Sequence, residues 1–320
     1  MRDTSERNAR MKSANKGEAG KDEKEGAMAE EEECTHECGS CGVSGCGDRT
    51  DAQAPSKLET NKRSNIKHVV GVVSGKGGVG KSLVTSLLAS QMQKRGFKVA
   101  ILDADVTGPS SPKTFGITNP LSVDEDGVIP AYTQSGIKVM SVNLMLPKGD
   151  IPVAWRGPVV SGAIRQFWSE TNWGDIDYMF IDMPPGTSDV FLTVFQSLPV
   201  DGIVTVSAPQ ELVAMIVGKA VNLAHDLDVP VVGLVENMAY FVCDECGKKH
   251  FIYGEPQGAT VAEKYAIPSF ATLPLDPAFA RLCDEGKVEE YEVGDALDDI
   301  IAHIEATANK PESKQEEAAE

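Results

Sequence analysis

The sequence predicts an α/β fold: a mostly parallel sheet with helices on both faces, and a polar tail at each end. Three observations carry this. From Ile66 to about Thr307, short apolar stretches alternate with amphipathic ones, the pattern of βαβ units. A glycine-rich stretch, "GKGGVGKS" (Gly75 to Ser82), separates the first apolar stretch from the first amphipathic one. Two later apolar stretches end in carboxylates, at the sheet edge where such folds gather their ligands. With 320 residues, one α/β domain of roughly 250 residues plus tails is the expected arrangement.

Taken in order, "HVVGVVS" (His68 to Ser74) is short, β-branched and apolar throughout, as a strand buried on both faces must be. "KSLVTSLLASQMQKRG" then places Val84, Leu87, Leu88 and Met92 at helical spacing. Lys94 and Arg95 sit near the negative end of its dipole, and Gly96 stops it. Further strands are expected at Lys98 to Asp105, Asp177 to Met183, Gly202 to Ala208 and Pro230 to Asn237. Helices are expected over Ser161 to Ser169, Glu211 to Leu227 and Gly258 to Tyr265. No internal repeat interrupts this alternation.

The glycine-rich stretch fits GxxxxGK[ST], a phosphate-binding loop, and has the strand before and helix after that the pattern requires. Gly75, Lys76, Gly77, Gly78, Val79, Gly80, Lys81 and Ser82 form the cradle. Its glycines let backbone N–H groups and the helix N-terminus meet phosphate oxygens. Lys81 would reach the β and γ phosphates, and the Ser82 hydroxyl would ligate Mg²⁺. Lys76 is one lysine more than the pattern needs. Asp103 and Asp105 follow the second strand and Asp182 closes an apolar run of Walker B character, with Gly186 in the turn beyond. A strand-end aspartate by itself usually caps a turn or helix. Beside a phosphate loop, the set can hold Mg²⁺ and orient water.

Composition narrows the partners. The 30 basic and 48 acidic residues give a formal charge of −18, which disfavours nucleic acid or an anionic membrane. No apolar run is long enough to span a bilayer, and the charged N-terminus is unlike a secretory signal, so the cytoplasm is the expected compartment. There, seven cysteines read as metal ligands or reactive thiols. The expected organisation is an acidic tail (1–33), a cysteine-rich segment (34–46), a linker (47–65), the nucleotide domain (66–307) and a second tail (308–320). The tails have too little apolar surface to offset the entropy of ordering.

"SGKGGVGKS", "DADVTGPS", "DMPPGTSD", "VENMAYFVCDEC" and "LPLDPAF" follow one another in the order seen in the Mrp-type (ApbC) iron-sulfur cluster carriers. These are P-loop ATPases with a deviant Walker A motif, similar to the nitrogenase iron protein and the MinD and ParA ATPases. The resemblance covers nearly all of Ile66 to Thr307. It implies that Lys76 reaches across a dimer interface to the partner's nucleotide, where a cation supplied in trans offsets transition-state charge. It further implies that Asp105 positions the attacking water, that Asp182 acts on Mg²⁺ through water, and that Asn237 reads the adenine edge. Asp103 is either a partner of the Mg²⁺ shell or a cap. The loop "LPLDPAFAR" either lies near the base and ribose or simply turns the chain.

Cys243 and Cys246 form a CxxC after Asn237. Two cysteines do not complete a four-thiolate site, but two copies facing across a twofold axis do, for one 4Fe-4S cluster or one Zn²⁺. A redox CxxC belongs at a helix N-terminus of a thioredoxin-like unit, which this sequence does not resemble. A second set, Cys34, Cys38, Cys41 and Cys46 in "CTHECGSCGVSGC", can wrap one metal centre within a chain. It resembles the N-terminal ferredoxin-like segment of carriers related to the eukaryotic cytosolic cluster scaffolds, and zinc suits the same thiolates. His36 lies inside that set as a bystander, and Cys283 reads as a helix residue without a metal role. The expected activity is ATP hydrolysis in a homodimer that takes a 4Fe-4S cluster from an assembly scaffold and passes it to apo-proteins. The alternatives are a MinD/ParA-like positioning switch and a zinc-binding, nucleotide-dependent metal chaperone.

Overall fold

In a computed structural model of the chain, residues 57–106, 108–146, 155, 157–186, 189–209 and 213–308 are described. The tail cysteines Cys34, Cys38, Cys41 and Cys46 lie outside them.

Strand β1 (Asn65–Val73) enters the glycine loop, and α1 (Lys81–Lys94) leaves it. Next come β2 (Val99–Asp103), the short α2 (Ser111–Thr114), the hairpin of β3 (Ser122–Asp124) and β4 (Gly127–Ile129), and the edge pair β5 (Ala131–Tyr132) and β6 (Lys138–Met140). The second half runs α3 (Gly157–Glu170), β7 (Asp175–Asp182), α4 (Asp189–Ser197), β8 (Gly202–Ser207), α5 (Val213–Asp226), β9 (Val231–Val242) and β10 (Lys249–His250). It ends with α6 (Gly258–Lys264), β11 (Phe270–Pro274), α7 (Pro277–Asp284) and α8 (Asp298–Ala308).

The main sheet is ordered β10-β9-β8-β1-β7-β2-β6-β5, with β11 also on β9. β1 pairs in parallel with β7 and β8, β2 with β7 and β6, and β9 with β8 and β11. Antiparallel pairing is confined to β5 on β6 and β10 on β9 within this sheet. The mostly parallel α/β expectation therefore holds.

The apolar run of β1 reflects burial on two faces. Val70 and Val72 pack with Leu87, Leu88 and Met92 of α1 and Ile300, Ile301 and Ile304 of α8. Val69 and Val73 pack on the other face with Ile164, Phe167 and Trp168 of α3 and Phe191 and Phe195 of α4. Each such side chain contributes about 1.5–3 kcal/mol when fully buried. Part of the segment expected as linker is held on this second face: the Leu58 N–H donates to the Ser197 carbonyl, and the Trp168 indole N–H donates to the Leu58 carbonyl.

Four elements run past their expected bounds. β1 begins at Asn65 rather than His68, α3 at Gly157 rather than Ser161 and β7 at Asp175 rather than Asp177, and β9 continues beyond Asn237 to Val242. The strands β5 and β6 and the β3–β4 hairpin are too short for a period to register, and α7 and α8 are further helices, α8 burying Ile300, Ile301 and Ile304 at helical spacing.

Candidate nucleotide site and cysteine hairpin

The phosphate loop is built where β1 stops at the carboxyl edge of the sheet. Gly78 and Gly80 take left-handed φ values of 81° and 80°, which only glycine adopts at little cost. Gly80 also lies against β9: a Cβ there would stand 2.2 Å from Asn237 Nδ2. Ser74 accepts the Gly186 N–H at its carbonyl, 2.8 Å, so the turn after Asp182 is pinned to the start of the loop.

Within the loop, Lys81 is buried, and its ammonium meets Asp182 Oδ1. Asp182 is fully buried at the end of β7. Thr85 Oγ1 donates to the same carboxylate oxygen at 3.2 Å, while Asp182 Oδ2 has no hydrogen-bond partner among the described residues. Ser82 lies one residue from Lys81, whose ammonium reaches its Oγ at 3.3 Å. A buried anionic oxygen with spare capacity and a nearby hydroxyl are the hard oxygen donors Mg²⁺ takes. The residues present thus fit that ion, with Ser82 and Asp182 as the groups that would hold it. Lys76 is half-buried at the first bend of the loop.

Asp103 stands beside Asp182 in register across β2 and β7. Its fully buried carboxyl accepts the Asp105 N–H at 3.2 Å, the Ser111 N–H at 3.4 Å and the Ser141 hydroxyl at 3.2 Å. It therefore gathers the loop after β2, the first turn of α2 and the end of β6. Burial, and then the Asp182 charge, push its pKa up from the ordinary 3.8 to about 8. Asp105 is half-buried, and its Oδ1 accepts the Gly108 N–H at 3.3 Å.

Asn237 is buried on β9, and its Nδ2 donates to the Val79 carbonyl at 3.0 Å. That amide nitrogen rests on the phosphate loop here, where the resemblance assigns the side chain to an adenine edge. In "LPLDPAFAR", Asp276 caps α7 by accepting the Ala278 N–H at 2.7 Å and takes the Tyr291 hydroxyl at 2.8 Å. Glu236, which sequence reasoning missed, is fully buried and accepts the Gln257 and Gly258 N–H groups at 3.1 and 2.9 Å. An acidic residue inside an otherwise apolar strand was the available signal.

Cys243 and Cys246 occupy the turn between β9 and β10, closed by Cys243 N–H to the Lys248 carbonyl and Gly247 N–H to the Cys243 carbonyl at 3.0 and 2.8 Å. Backbone N–H groups of Cys246 and Glu245 aimed at the Cys243 sulfur hold its thiol below the usual range. Cys246 is exposed. Cys283 is instead buried in α7, with burial pushing its thiol up to about 11. Among the described residues, no cluster of three or more His, Cys, Asp or Glu side chains could hold a metal ion. A cavity of about 410 Å³ lined by Phe97, Lys98, Lys138 and Asp175 opens at the opposite edge of the sheet, away from all these groups.

A parallel sheet with a strand–glycine loop–helix unit and a buried Walker B aspartate on the loop lysine defines a P-loop nucleoside triphosphatase, and the chain is an ATPase of that class. The ParA family pattern described as "NUBPL iron-transfer P-loop NTPase" matches residues 65–306. The chain belongs to that family, among the iron-sulfur cluster carriers.

An iron-sulfur cluster carrier protein of Clostridium perfringens is 46% identical over 258 residues, covering 78% of this chain and 90% of the relative. One from Methanococcus maripaludis is 43% identical over 261 residues, covering 80% and 90%. The solved nucleotide-binding protein of Archaeoglobus fulgidus, in complex with ADP, is 45% identical, with a TM-score of 0.65 over 71% of this chain and 89% of that one. The cell division ATPase MinD of Pyrococcus furiosus shares the fold at 20% identity and a TM-score of 0.55, over 75% of this chain and 99% of that one. No helix among the described residues is long and apolar enough to cross a membrane.

Proposed function

We propose that the protein is a cytoplasmic, homodimeric, ATP-dependent carrier of a 4Fe-4S cluster. Two copies hold the cluster through Cys243 and Cys246 of each chain, receive it from an assembly scaffold and pass it to apo-proteins. One observation carries this reading: the CxxC sits on a hairpin with no third ligand beside it among the described residues, and a second copy of the hairpin supplies the two further thiolates a cluster takes. The family's iron-transfer description supports the cargo. A further support is the distribution of exposed apolar side chains. Met145, Val159, Leu192 and Met215 lie on segments that come after the carboxyl ends of the strands, and Val242, Phe251, Ile252 and Tyr253 flank the cysteine turn. Apolar surface on the same edge as the phosphate loop suits an interface with a second copy.

On this reading, ATP phosphates draw Lys81 away from Asp182, freeing that carboxylate for Mg²⁺. Asp105 orients the attacking water, Gly186 approaches the γ-phosphate, and Lys76 completes the partner's site. Hydrolysis is thereby tied to how the two chains meet, and so to the grip on the cluster. The tail set Cys34, Cys38, Cys41 and Cys46 is a second metal site, for a 4Fe-4S cluster or zinc. The test is anaerobic purification with iron, sulfide and zinc analysis. Brown protein with iron and sulfide in equal amounts supports the reading. Colourless protein that cannot be reconstituted and carries stoichiometric zinc overturns it.

A further inference from the structure

The cysteine hairpin is a long excursion from β9, and both of its ends are tied at one place. Glu236, in β9, grips the N–H groups of Gln257 and Gly258 where the chain returns into α6. The next residue, Asn237, donates to Val79 of the phosphate loop, and Met238 comes after it with φ 58°, a left-handed conformation that strains a residue with a side chain.

The strand pairing shows the effect of that conformation. Thr272 of β11 faces Glu236 and Pro274 faces Tyr240, so four positions of β9 span two of β11. This is a bulge at Asn237–Ala239, a device that bends a strand and re-aims the residues beyond it. Those residues are Phe241 and Val242, paired with β10, and then Cys243. The bulge lies directly on the phosphate loop. A Cβ on Gly80 would stand 2.2 Å from Asn237 Nδ2 and 3.7 Å from Met238 Cε, so this part of the loop cannot shift toward β9 without displacing the bulge.

We propose that the segment Glu236–Met238 couples the phosphate loop to the cysteine pair. Nucleotide binding moves the bulge through Asn237 and Met238, and the bulge re-aims the hairpin. Glu236 is the positioning residue that fixes the hairpin's base, so that displacement of the strand becomes rotation of the cysteines and not slack. This deepens the reading proposed above, since it concerns the same two sites. It needs a two-state element that both sites bias, and the strained bulge is that element.

The test uses metal-free, reduced full-length protein in which Cys34, Cys38, Cys41, Cys46 and Cys283 are replaced by Ser, so that iodoacetamide reports on Cys243 and Cys246 alone. A non-hydrolysable ATP analogue with Mg²⁺ is expected to change the alkylation rate by about fivefold or more. Glu236→Gln turns one acceptor oxygen into a donor facing an N–H. It should abolish most of that response while nucleotide affinity and sedimentation behaviour stay as in the parent. Met238→Gly adopts the same φ without strain and should fold at least as well, yet the looser bulge should also blunt the response. If Glu236→Gln does not fold, Met238→Gly decides. A parent protein whose thiols ignore the nucleotide, or variants that respond as the parent does, would overturn the coupling. The experiment contains no iron, so failure of the cluster reading leaves its outcome intact, and failure of the coupling leaves iron binding untouched.

Discussion

Lys81 and Asp182 meet as a buried ion pair at the phosphate loop, with Thr85 donating to the same carboxylate oxygen. The aspartate thus gives the lysine a counter-charge that phosphate would otherwise supply. Removing one member of such a pair strands a charge in a medium that solvates it poorly, at a cost of about 3–5 kcal/mol. In nucleotide-free protein, Lys81→Ala should lose stability on that scale in urea denaturation. Lys81→Ala combined with Asp182→Asn should recover much of it. A double-variant loss equal to the sum of the separate Lys81→Ala and Asp182→Asn losses would show that the two side chains are not energetically coupled.

The proposed function gives Lys76 to the partner's nucleotide and not to its own. Lys76→Ala should therefore abolish ATP hydrolysis while binding of a fluorescent ATP analogue stays appreciable. Retention of full hydrolysis would remove the role in trans.

The Asp103 carboxyl gives a pH signature. Its pKa is raised from 3.8 to about 8 in the folded protein, so between those values the folded chain holds one proton that the unfolded chain has released. Stability from this group is complete below the lower value and is lost as pH rises toward the upper one, by about 1.4 kcal/mol per pH unit. Metal-free, nucleotide-free protein should lose stability across that window and level off above it. Asp103→Asn, which does not titrate, should flatten the slope.

Cys243→Ser or Cys246→Ser should strip the hairpin's iron in protein that also lacks the four tail cysteines, while ATP binding persists. Cys283→Ser should leave the iron content unchanged, because that thiol is buried in α7. Iron analysis after anaerobic reconstitution checks both.

The parts of the fold legible in the sequence are those written locally. β1, the glycine loop and α1 are consecutive, and each carries its own signal, an apolar run, paired glycines and a helical stripe. The strand-end carboxylates could be read for the same reason. The features hidden in the sequence depend on distant partners. Asp103 could be read as a cap or a Mg²⁺-shell residue, but its burial is imposed by Ser141 and Ser111 closing over it. The hydrogen bond from Asn237 to Val79 joins residues 158 apart. Glu236 meets α6 only because the intervening hairpin folds back on itself. The edge strands β5 and β6 are two and three residues long, too short for a period to register.

The central claim is that a single cluster sits between two chains, and its stoichiometry tests that claim most directly. Native mass spectrometry of anaerobically reconstituted protein, with the tail cysteines replaced by Ser, should find a dimer carrying four iron and four sulfide per two chains. A monomer that retains its iron, or a dimer with a full complement in each chain, would contradict the account.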